Sequence, residues 1–131
     1  MKPKMIIPML VCRNAAAEIE FCVAAFGAVE LSRRTAEDGS VVHATLMIHQ
    51  SLMMVHNESP HLASKAPLPD GTSSVVTYLY DEDVDVIINR ALAVGAKILL
   101  PAEDQFWGDR VGRIIDPEGH VWNIAARIEP S

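Results

Sequence analysis

Cysteine, aromatic side chains, basic charge and long apolar runs are all scarce in this chain of 131 residues. The two cysteines, Cys12 and Cys22, lie ten positions apart, which matches neither a CxxC redox pair nor a zinc knuckle. Two cysteines are also too few for a disulfide framework. Because free cysteine behaves as a small hydrophobic residue, we expect two reduced thiols in the core.

Basic residues are outnumbered, with 11 Lys and Arg against 17 Asp and Glu, and the formal net charge is −6. Such a surface repels a phosphate backbone, so we expect no nucleic-acid partner. The longest apolar run, Ile6 to Cys12, is far shorter than the roughly 20 residues that cross a bilayer. Since Pro8 and Arg13 also argue against a signal peptide, we expect a cytoplasmic protein with no membrane partner.

The hydrophobic pattern predicts the same order of elements twice, β-α-β-β-β. A helix is expected from Ala15 to Phe26, with Asn14 as its N-cap and Gly27 as its C-cap glycine. A second helix is expected to begin at the acidic segment 81–83 and to end at Gly95. The predicted strands are 5–12, 29–35, 41–48, 52–56, 73–80, 96–100, 110–116 and 120–128. The single domain, residues 1–131, therefore divides into module one (about 5–57), a proline-rich loop (58–72) and module two (about 73–128).

The two modules also align in sequence. An offset of 68 carries Gly27 onto Gly95 and Ala28 onto Ala96, together with several apolar helix positions. This register favours an internal duplication. The α+β fold that we predict consists of two tandem βαβββ modules that form a curved, cavity-lining mixed sheet with helices on its outer face.

A motif near the C-terminal end resembles a known family. This motif consists of the segments Phe106-Trp107-Gly108-Asp109-Arg110, Gly112-Arg113-Ile114 and Asp116-Pro117-Glu118-Gly119-His120, followed by Trp122. It resembles the closing motif of the vicinal oxygen chelate superfamily, and within it that of the PhnB-like branch. The first part of the chain also resembles the N-terminal half of proteins of that branch, at Pro8, residues 14–16, 19–21 and 26–28, and the strand with His43. The superfamily includes glyoxalase I, bleomycin and fosfomycin resistance proteins and extradiol dioxygenases. The resemblance implies paired βαβββ modules and a homodimer with a cavity in each sheet.

The metal site of the family is expected to be absent. In the metal-dependent members, His, Glu or Gln side chains at fixed strand positions hold a divalent cation. Aligned on the fosfomycin-resistance type, those positions fall on Ile7, Ser74 and Asn123, none of which is a good ligand. We therefore expect no cofactor, although a divalent metal held by other residues remains an alternative.

Candidate contacts for a small-molecule ligand lie on the middle strand of module one and in module two. Alternation predicts that Val42, Ala44, Leu46 and Ile48 face the helix and that His43, Thr45, Met47 and His49 face the cavity. His43 is the best candidate for a general base or a polar contact, with a structural histidine as the alternative. Trp107 and Arg110 are expected either to cover a planar or anionic ligand or to clasp the loop through Asp109 or Asp104. The predicted ligand contacts are His43, Thr45, Met47, Ser74, Tyr78, Trp107, Arg110 and Asn123.

The other histidines are expected to have structural or surface positions. His49, His56 and His61 lie near turns or in the polar loop and are expected on the surface, whereas His120 and Trp122 are expected to brace the last turn and the core. No GxSxG, Walker A, GxGxxG or HExxH motif is present.

Three function classes remain open. The preferred one is a metal-independent protein that binds a small molecule in a sheet-lined cavity. The alternative is a glyoxalase-like lyase, isomerase or dioxygenase, which uses either a divalent metal or His43 as an acid–base group. The third is an interaction module with a vestigial cavity.

Overall fold

The structure is a computed structural model that describes residues 2–128, and it consists of two successive βαβββ modules. Module one contains β1 (Met9–Cys12), α1 (Ala15–Phe26), β2 (Val29–Thr35), β3 (Val41–Ile48) and β4 (Ser51–Asn57). Module two contains β5 (Val76–Tyr80), α2 (Val84–Ala93), β6 (Lys97–Asp104), β7 (Asp109–Ile115) and β8 (Val121–Arg127). The outer ends of the single domain predicted from the sequence, Met1 and 129–131, lie outside the described residues.

Each module forms one four-stranded mixed sheet. The strand order is β1-β4-β3-β2 in module one and β5-β8-β7-β6 in module two. In both, the first strand runs parallel to the last, and the remaining pairs are antiparallel. The α+β class with two βαβββ modules is therefore confirmed, and both modules have the element order that the internal repeat predicted.

The caps of α1 follow the sequence prediction. The Asn14 side chain accepts a hydrogen bond from the backbone N–H of Ala17 at 3.2 Å, and Gly27 ends the helix with φ of 71°. A left-handed backbone of this kind suits glycine, which has no Cβ to clash. The first turn of α2 is capped by Asp83, which accepts from the N–H of Val86 at 3.2 Å.

Several boundaries differ from the predicted ones because of proline. β1 begins at Met9 rather than Met5, since Pro8 has no N–H to donate to a ladder. β6 continues to Asp104, four residues beyond the predicted end, because the register against β7 shifts once before Pro101 and once across it, which accommodates the proline in the strand. The predicted loop contains one short 3-10 helix, Pro60–Leu62.

One hydrophobic core joins the two modules. α1 packs against α2, and the rings of Phe26 and Trp122 lie with their centroids 4.7 Å apart. Residues from the helix-covered faces of both sheets belong to this core. Among residues 2–128, no strand of one module has a Cα atom within 8 Å of a strand of the other. The face of each sheet opposite its helix, called the open face below, therefore points away from the shared core.

No helix within the described part of the chain is long and apolar enough to cross a membrane.

Candidate functional site

The open face of module two carries most of the predicted contacts that lie in that module. Asn123 on β8 is opposite Tyr78 on β5 and Arg113 on β7. Directly opposite residues of neighbouring strands point to the same face, so these three side chains share the open face. The helix-facing neighbours Trp122 and Ile124 are buried. Asn123 and Trp122 therefore lie on opposite faces, as strand alternation predicted.

The three positions that resemble the family's metal ligands do not fit a divalent cation. Ile7 has no donor atom, and Ser74 is exposed. The amide oxygen Oδ1 of Asn123 accepts a hydrogen bond from Nε of Arg113 at 2.7 Å. A guanidinium at this distance occupies the oxygen that would bind a cation and adds a positive charge beside it. The donor set here therefore suits an acceptor or anionic group rather than a metal ion.

A buried carboxylate, Asp109, anchors the aromatic part of the same face. Its Oδ2 accepts hydrogen bonds from the hydroxyl of Tyr80 at 2.5 Å, the hydroxyl of Tyr78 at 3.3 Å and the indole N–H of Trp107 at 3.2 Å. Nε of Arg127 lies 3.3 Å from the other oxygen, Oδ1. Three donors on one carboxylate fix the orientation of both tyrosines and of the indole.

These hydrogen bonds have opposite effects on the pKa values of Asp109 and Tyr80. The hydrogen bond from Tyr80 lowers the pKa of Asp109 below its usual value, with further contributions from Tyr78, Trp107 and Arg127. The same hydrogen bond raises the pKa of Tyr80. Asp109 is therefore held as a carboxylate and Tyr80 as a phenol, which suits a scaffold for the aromatic rings rather than proton transfer.

A cavity of about 250 Å³ opens between β6, β7 and β8 on this face. Trp107, Arg113 and Asn123 line it together with Glu103 and apolar residues of β6 and β7. Trp107 is half exposed, whereas Arg113 and Asn123 are half-buried. The cavity thus combines an aromatic wall with a hydrogen-bonded guanidinium–amide pair.

Arg110, which was predicted beside Trp107, lies on the helix-facing side of β7. Its Nε donates to Asp85 on α2 at 3.0 Å, and its Nη1 donates to Asp104 at 3.1 Å. The structure thus shows the alternative, a clasp that involves Asp104, with Asp85 rather than Asp109 as the second acid. These hydrogen bonds raise the pKa of Arg110 and lower that of Asp85.

The open face of module one carries His43, Thr45 and Met47, all half-buried, as alternation on β3 predicted. The prediction for Val42 was wrong, because Val41 is buried and Val42 is exposed. A shift of register between Arg34 and Thr35 on β2 accounts for the change at this end of β3.

His43 is opposite Arg34 of β2 in the ladder. Among the described residues its imidazole has no hydrogen-bond partner, so the structure provides no carboxylate to orient it.

The other histidines differ in their surroundings. His56 was predicted on the surface but is buried on the same face of the sheet as His43, because β4 runs between β1 and β3. His49 follows β3 in a turn, where Nε2 lies 2.8 Å from Oδ2 of Asp81. His120 braces the structure as predicted, with Nε2 2.8 Å from the carbonyl of Val11.

Ser74 lies apart from both groups. It lines a cavity of about 800 Å³ between β1, the segment 65–75, β5 and the start of β8. The predicted contacts therefore occupy four places in one chain, one of which is the helix-facing side of β7 with Arg110. The structure brings together Tyr78, Trp107 and Asn123; it groups His43, Thr45 and Met47 on the other open face; and it leaves Ser74 in the junction cavity.

Sequence reasoning missed three residues of the module-two face, Arg113, Asp109 and Tyr80. Tyr80 could have been found, because it lies two positions after Tyr78 on a strand and shares its face. Arg113 could have been found only with the pairing of β7 and β8, which sequence alone does not supply. For Asp109, the sequence pattern predicted only a pairing with Arg110.

Comparisons with known proteins agree with this architecture. A family model described as "Glyoxalase/Bleomycin resistance protein/Dioxygenase superfamily" matches residues 6–124. The uncharacterised protein Rv0887c from Mycobacterium tuberculosis (strain ATCC 25618 / H37Rv) is 41% identical over 120 residues, which cover 89% of this chain and 71% of that protein. TioX from Micromonospora sp. ML1 has a TM-score of 0.74 and 26% identity, with coverage of 95% of this chain and 99% of TioX. The PhnB protein from Bacillus cereus, at 20% identity, has a TM-score of 0.71 and shares the fold over 94% of this chain and 99% of its own.

Proposed function

Because this chain belongs to the glyoxalase/bleomycin resistance protein/dioxygenase superfamily, we propose that it binds a small planar molecule with an acceptor or anionic group on the open face of module two. Binding uses no metal ion at the positions of the metal-dependent members. The observation that carries this proposal is the cavity in which Trp107 lies beside the Arg113–Asn123 hydrogen bond of 2.7 Å.

Each part of the cavity has a chemical role in this proposal. The indole of Trp107, held by Asp109 at 3.2 Å, offers a flat apolar surface for a ring. The guanidinium of Arg113 has donors beyond the one used by Asn123, and these can bind a carboxylate, phosphate or carbonyl oxygen. The ligand class that fits is therefore an aromatic or conjugated molecule with an oxygen acceptor at one edge.

We also propose that a second copy of the chain completes the site. The cavity of about 250 Å³ is smaller than the roughly 300–1,000 Å³ usual for small-molecule sites. Apolar side chains are partly accessible on both open faces, among them Met9, Met47 and Tyr78. A homodimer that stacks module one of one copy on module two of the other would bring His43, Thr45 and Met47 over Trp107.

Calorimetric titration against a panel of planar acids and conjugated antibiotics tests the proposal. A ligand found in this way should lose at least about tenfold in affinity in Trp107→Ala and in Arg113→Gln, which corresponds to roughly 1.4 kcal/mol. Arg110→Gln is the matched control, because it removes a guanidinium from the same strand on its helix-facing side. It should change the affinity by less than about twofold.

Intrinsic fluorescence provides an independent check of the location. The chain has two tryptophans, and Trp122 is buried in the core whereas Trp107 is half exposed. Ligand quenching should therefore disappear in Trp107→Leu. Quenching that persists in this variant, or equal loss of affinity in the Arg110 and Arg113 variants, would place the ligand elsewhere.

Acid–base catalysis at His43 is the second candidate function. It is favoured by the register of β2 and β3, because Arg34 opposite His43 puts a guanidinium and an imidazole on the same open face. In this case His43→Asn should abolish turnover of the bound compound while its affinity stays within about threefold. Turnover that His43→Asn leaves intact would eliminate this candidate.

A further inference from the structure

Three metal-binding side chains meet inside the protein, away from both open faces. Cys12 ends β1, Glu18 lies in the first turn of α1, and His120 precedes β8. The Sγ of Cys12 lies 3.8 Å from Oε1 of Glu18 and 3.8 Å from Nε2 of His120. The three donor atoms all lie within 4.8 Å of one another. Cys12 and Glu18 are fully buried, and His120 is half-buried.

The two spacings that involve Cys12 are close to those of a tetrahedral site, and the donor atoms of Glu18 and His120, within 4.8 Å of each other, must also approach. A zinc ion bound to sulfur, nitrogen and oxygen at about 2.0–2.3 Å holds such donor atoms about 3.4–3.7 Å apart. Contraction by a few tenths of an ångström brings the Cys12 contacts into this range. Thiolate, imidazole and carboxylate together suit a borderline-soft cation such as Zn²⁺ rather than Mg²⁺ or Ca²⁺.

We propose that Cys12, Glu18 and His120 bind one Zn²⁺ ion that clamps module one to module two. Cys12 and Glu18 come from module one and His120 from module two, so one ion would join β1, α1 and the start of β8. The thiolate of Cys12 and the carboxylate of Glu18 balance the two charges of the ion. This site lies at residues other than Ile7, Ser74 and Asn123, and it is independent of the proposed ligand site on module two.

One of two contacts at the cluster would change when the ion binds, and the other would remain. Nε2 of His120 must give up its hydrogen bond to the carbonyl of Val11, which costs on the order of 1 kcal/mol. Cys22, one turn after Glu18 on α1, lies 3.5 Å from Oε2 and can keep this contact because Oε1 faces the ion. Cys22 therefore positions the carboxylate but is not assigned as a ligand.

The ion has a route to the cluster. His120 and Val11 line the cavity of about 800 Å³ between β1 and β5. Solvent in this cavity reaches the side of the cluster where His120 is partly exposed. A water molecule from the cavity supplies the fourth ligand that a tetrahedral zinc ion requires.

Titration of the metal-free, untagged chain with Co²⁺ tests the assignment directly. Cobalt substitutes for zinc, and a cobalt–thiolate bond gives an ultraviolet charge-transfer band that cobalt on surface histidines does not give. We expect one ion per chain, one thiolate per ion, and displacement of Co²⁺ by Zn²⁺. Cys12→Ala and His120→Gln should each weaken Zn²⁺ binding about 100-fold or more, and Cys12→Ala should also remove the band.

Three further variants make the test decisive. Cys22→Ser should keep the band, since only one of the two buried thiols is a ligand. Glu18→Gln should lose tight binding while the fold remains at least as stable, so that loss of metal cannot be attributed to unfolding. His61→Ala is the control for metal bound at an exposed histidine, and it should change nothing.

The proposal is overturned if no thiolate band forms, if the band follows Cys22 rather than Cys12, or if His61→Ala abolishes binding. A rise in Tm with Zn²⁺ in wild type, and none in Cys12→Ala, would show that the ion stabilises the junction of the modules.

Discussion

At the scale of single residues, the most unusual environment is that of Glu18. Its side chain is fully buried between the thiols of Cys12 and Cys22, at 3.8 and 3.5 Å. Burial raises the pKa of Glu18 well above its usual value, and the neighbouring charge of Asp116 adds to the effect. Burial and the charge of Glu18 also raise the pKa of both thiols. Without a cation, the carboxyl of Glu18 and the thiols of Cys12 and Cys22 therefore keep their protons.

The stability of the fold should respond to pH through Glu18. The unfolded chain ionises this carboxyl above about pH 4, whereas the folded chain keeps it protonated until its raised pKa is reached. The stabilisation of the fold that comes from the protonated Glu18 carboxyl is therefore fully present below about pH 4, and it is lost as the pH rises toward the folded pKa. Glu18→Gln, which cannot ionise, should raise Tm by about 3 °C or more at pH 8 and leave it almost unchanged at pH 4.

Thermal unfolding monitored by circular dichroism, with a chelator present, measures this effect. Glu20→Gln is the control, because Glu20 is exposed on the same helix and should show no such pH dependence. A Glu18→Gln variant that is less stable than wild type at pH 8 would show that the carboxyl is ionised in the fold.

Single-residue roles were predictable where they depend on local sequence. The caps Asn14 and Gly27 and the bracing role of His120 follow from neighbours in the chain or from a motif. The environment of Glu18 was not predictable, because the residues around it come from β1, α1 and the β7–β8 turn. Only the tertiary fold brings these segments together.

At the scale of elements, the packing of α2 on its sheet depends on Gly112 of β7. A Cβ added at this position would lie 2.5 Å from Cδ1 of Ile88 and 3.2 Å from Cα of Ala102. Ile88 is buried in α2, so its side chain has little room to move. The helix approaches β7 this closely because position 112 has no side chain.

Substitution of Gly112 by alanine should therefore destabilise the fold by about 1–3 kcal/mol, the usual cost of overpacking a core. The double variant Gly112→Ala/Ile88→Val deletes the clashing methyl group and should recover part of the loss. Urea unfolding measures both. Equal stability of Gly112→Ala and wild type would mean that α2 shifts at no cost.

The helices and strands were predictable from their hydrophobic periodicity, whereas their first and last residues were less predictable. The bounds of α1 and β3 agree with the structure, since apolar spacing and turn residues define them locally. The predicted extent of β1 and β6 and the face of Val42 were wrong. Pro8, Pro101 and the irregular pairing of β2 with β3 decide these features through hydrogen bonds to neighbouring strands.

At the scale of the whole molecule, the open faces of the two modules decide how the chain can associate. Both faces point away from the shared core, and β2 is exposed along its whole length. If these faces stack in a homodimer, Met47→Arg should give a monomer, because it places a charge in the buried contact. Val86→Arg is the control, since Val86 is exposed on α2.

Sedimentation equilibrium distinguishes the outcomes. Wild type and Val86→Arg should have twice the chain mass of 14.3 kDa, and Met47→Arg should have the single-chain mass. A monomeric wild type, or a dimer that only Val86→Arg disrupts, would contradict the stacking of open faces.

The overall architecture was predictable because two modules repeat one pattern and the terminal motif resembles a known family. The site was predictable only in part. Arg110 and Arg113 lie three positions apart on one strand, and which of them faces the cavity depends on the register of β7 against β8. Similarly, the distribution of His43 and Trp107 over two separate faces follows from how α1 packs on α2.

The dissociation constant of an identified ligand, before and after removal of all divalent metal, tests the central claim most directly. We predict that chelation changes it by less than about threefold, because the proposed site binds the ligand through Trp107, Arg113 and Asn123 without an ion. A loss of tenfold or more that Ni²⁺, Mn²⁺ or Fe²⁺ restores, in the wild type and in Cys12→Ala alike, would contradict the account. It would show that a metal separate from the buried cluster binds the ligand.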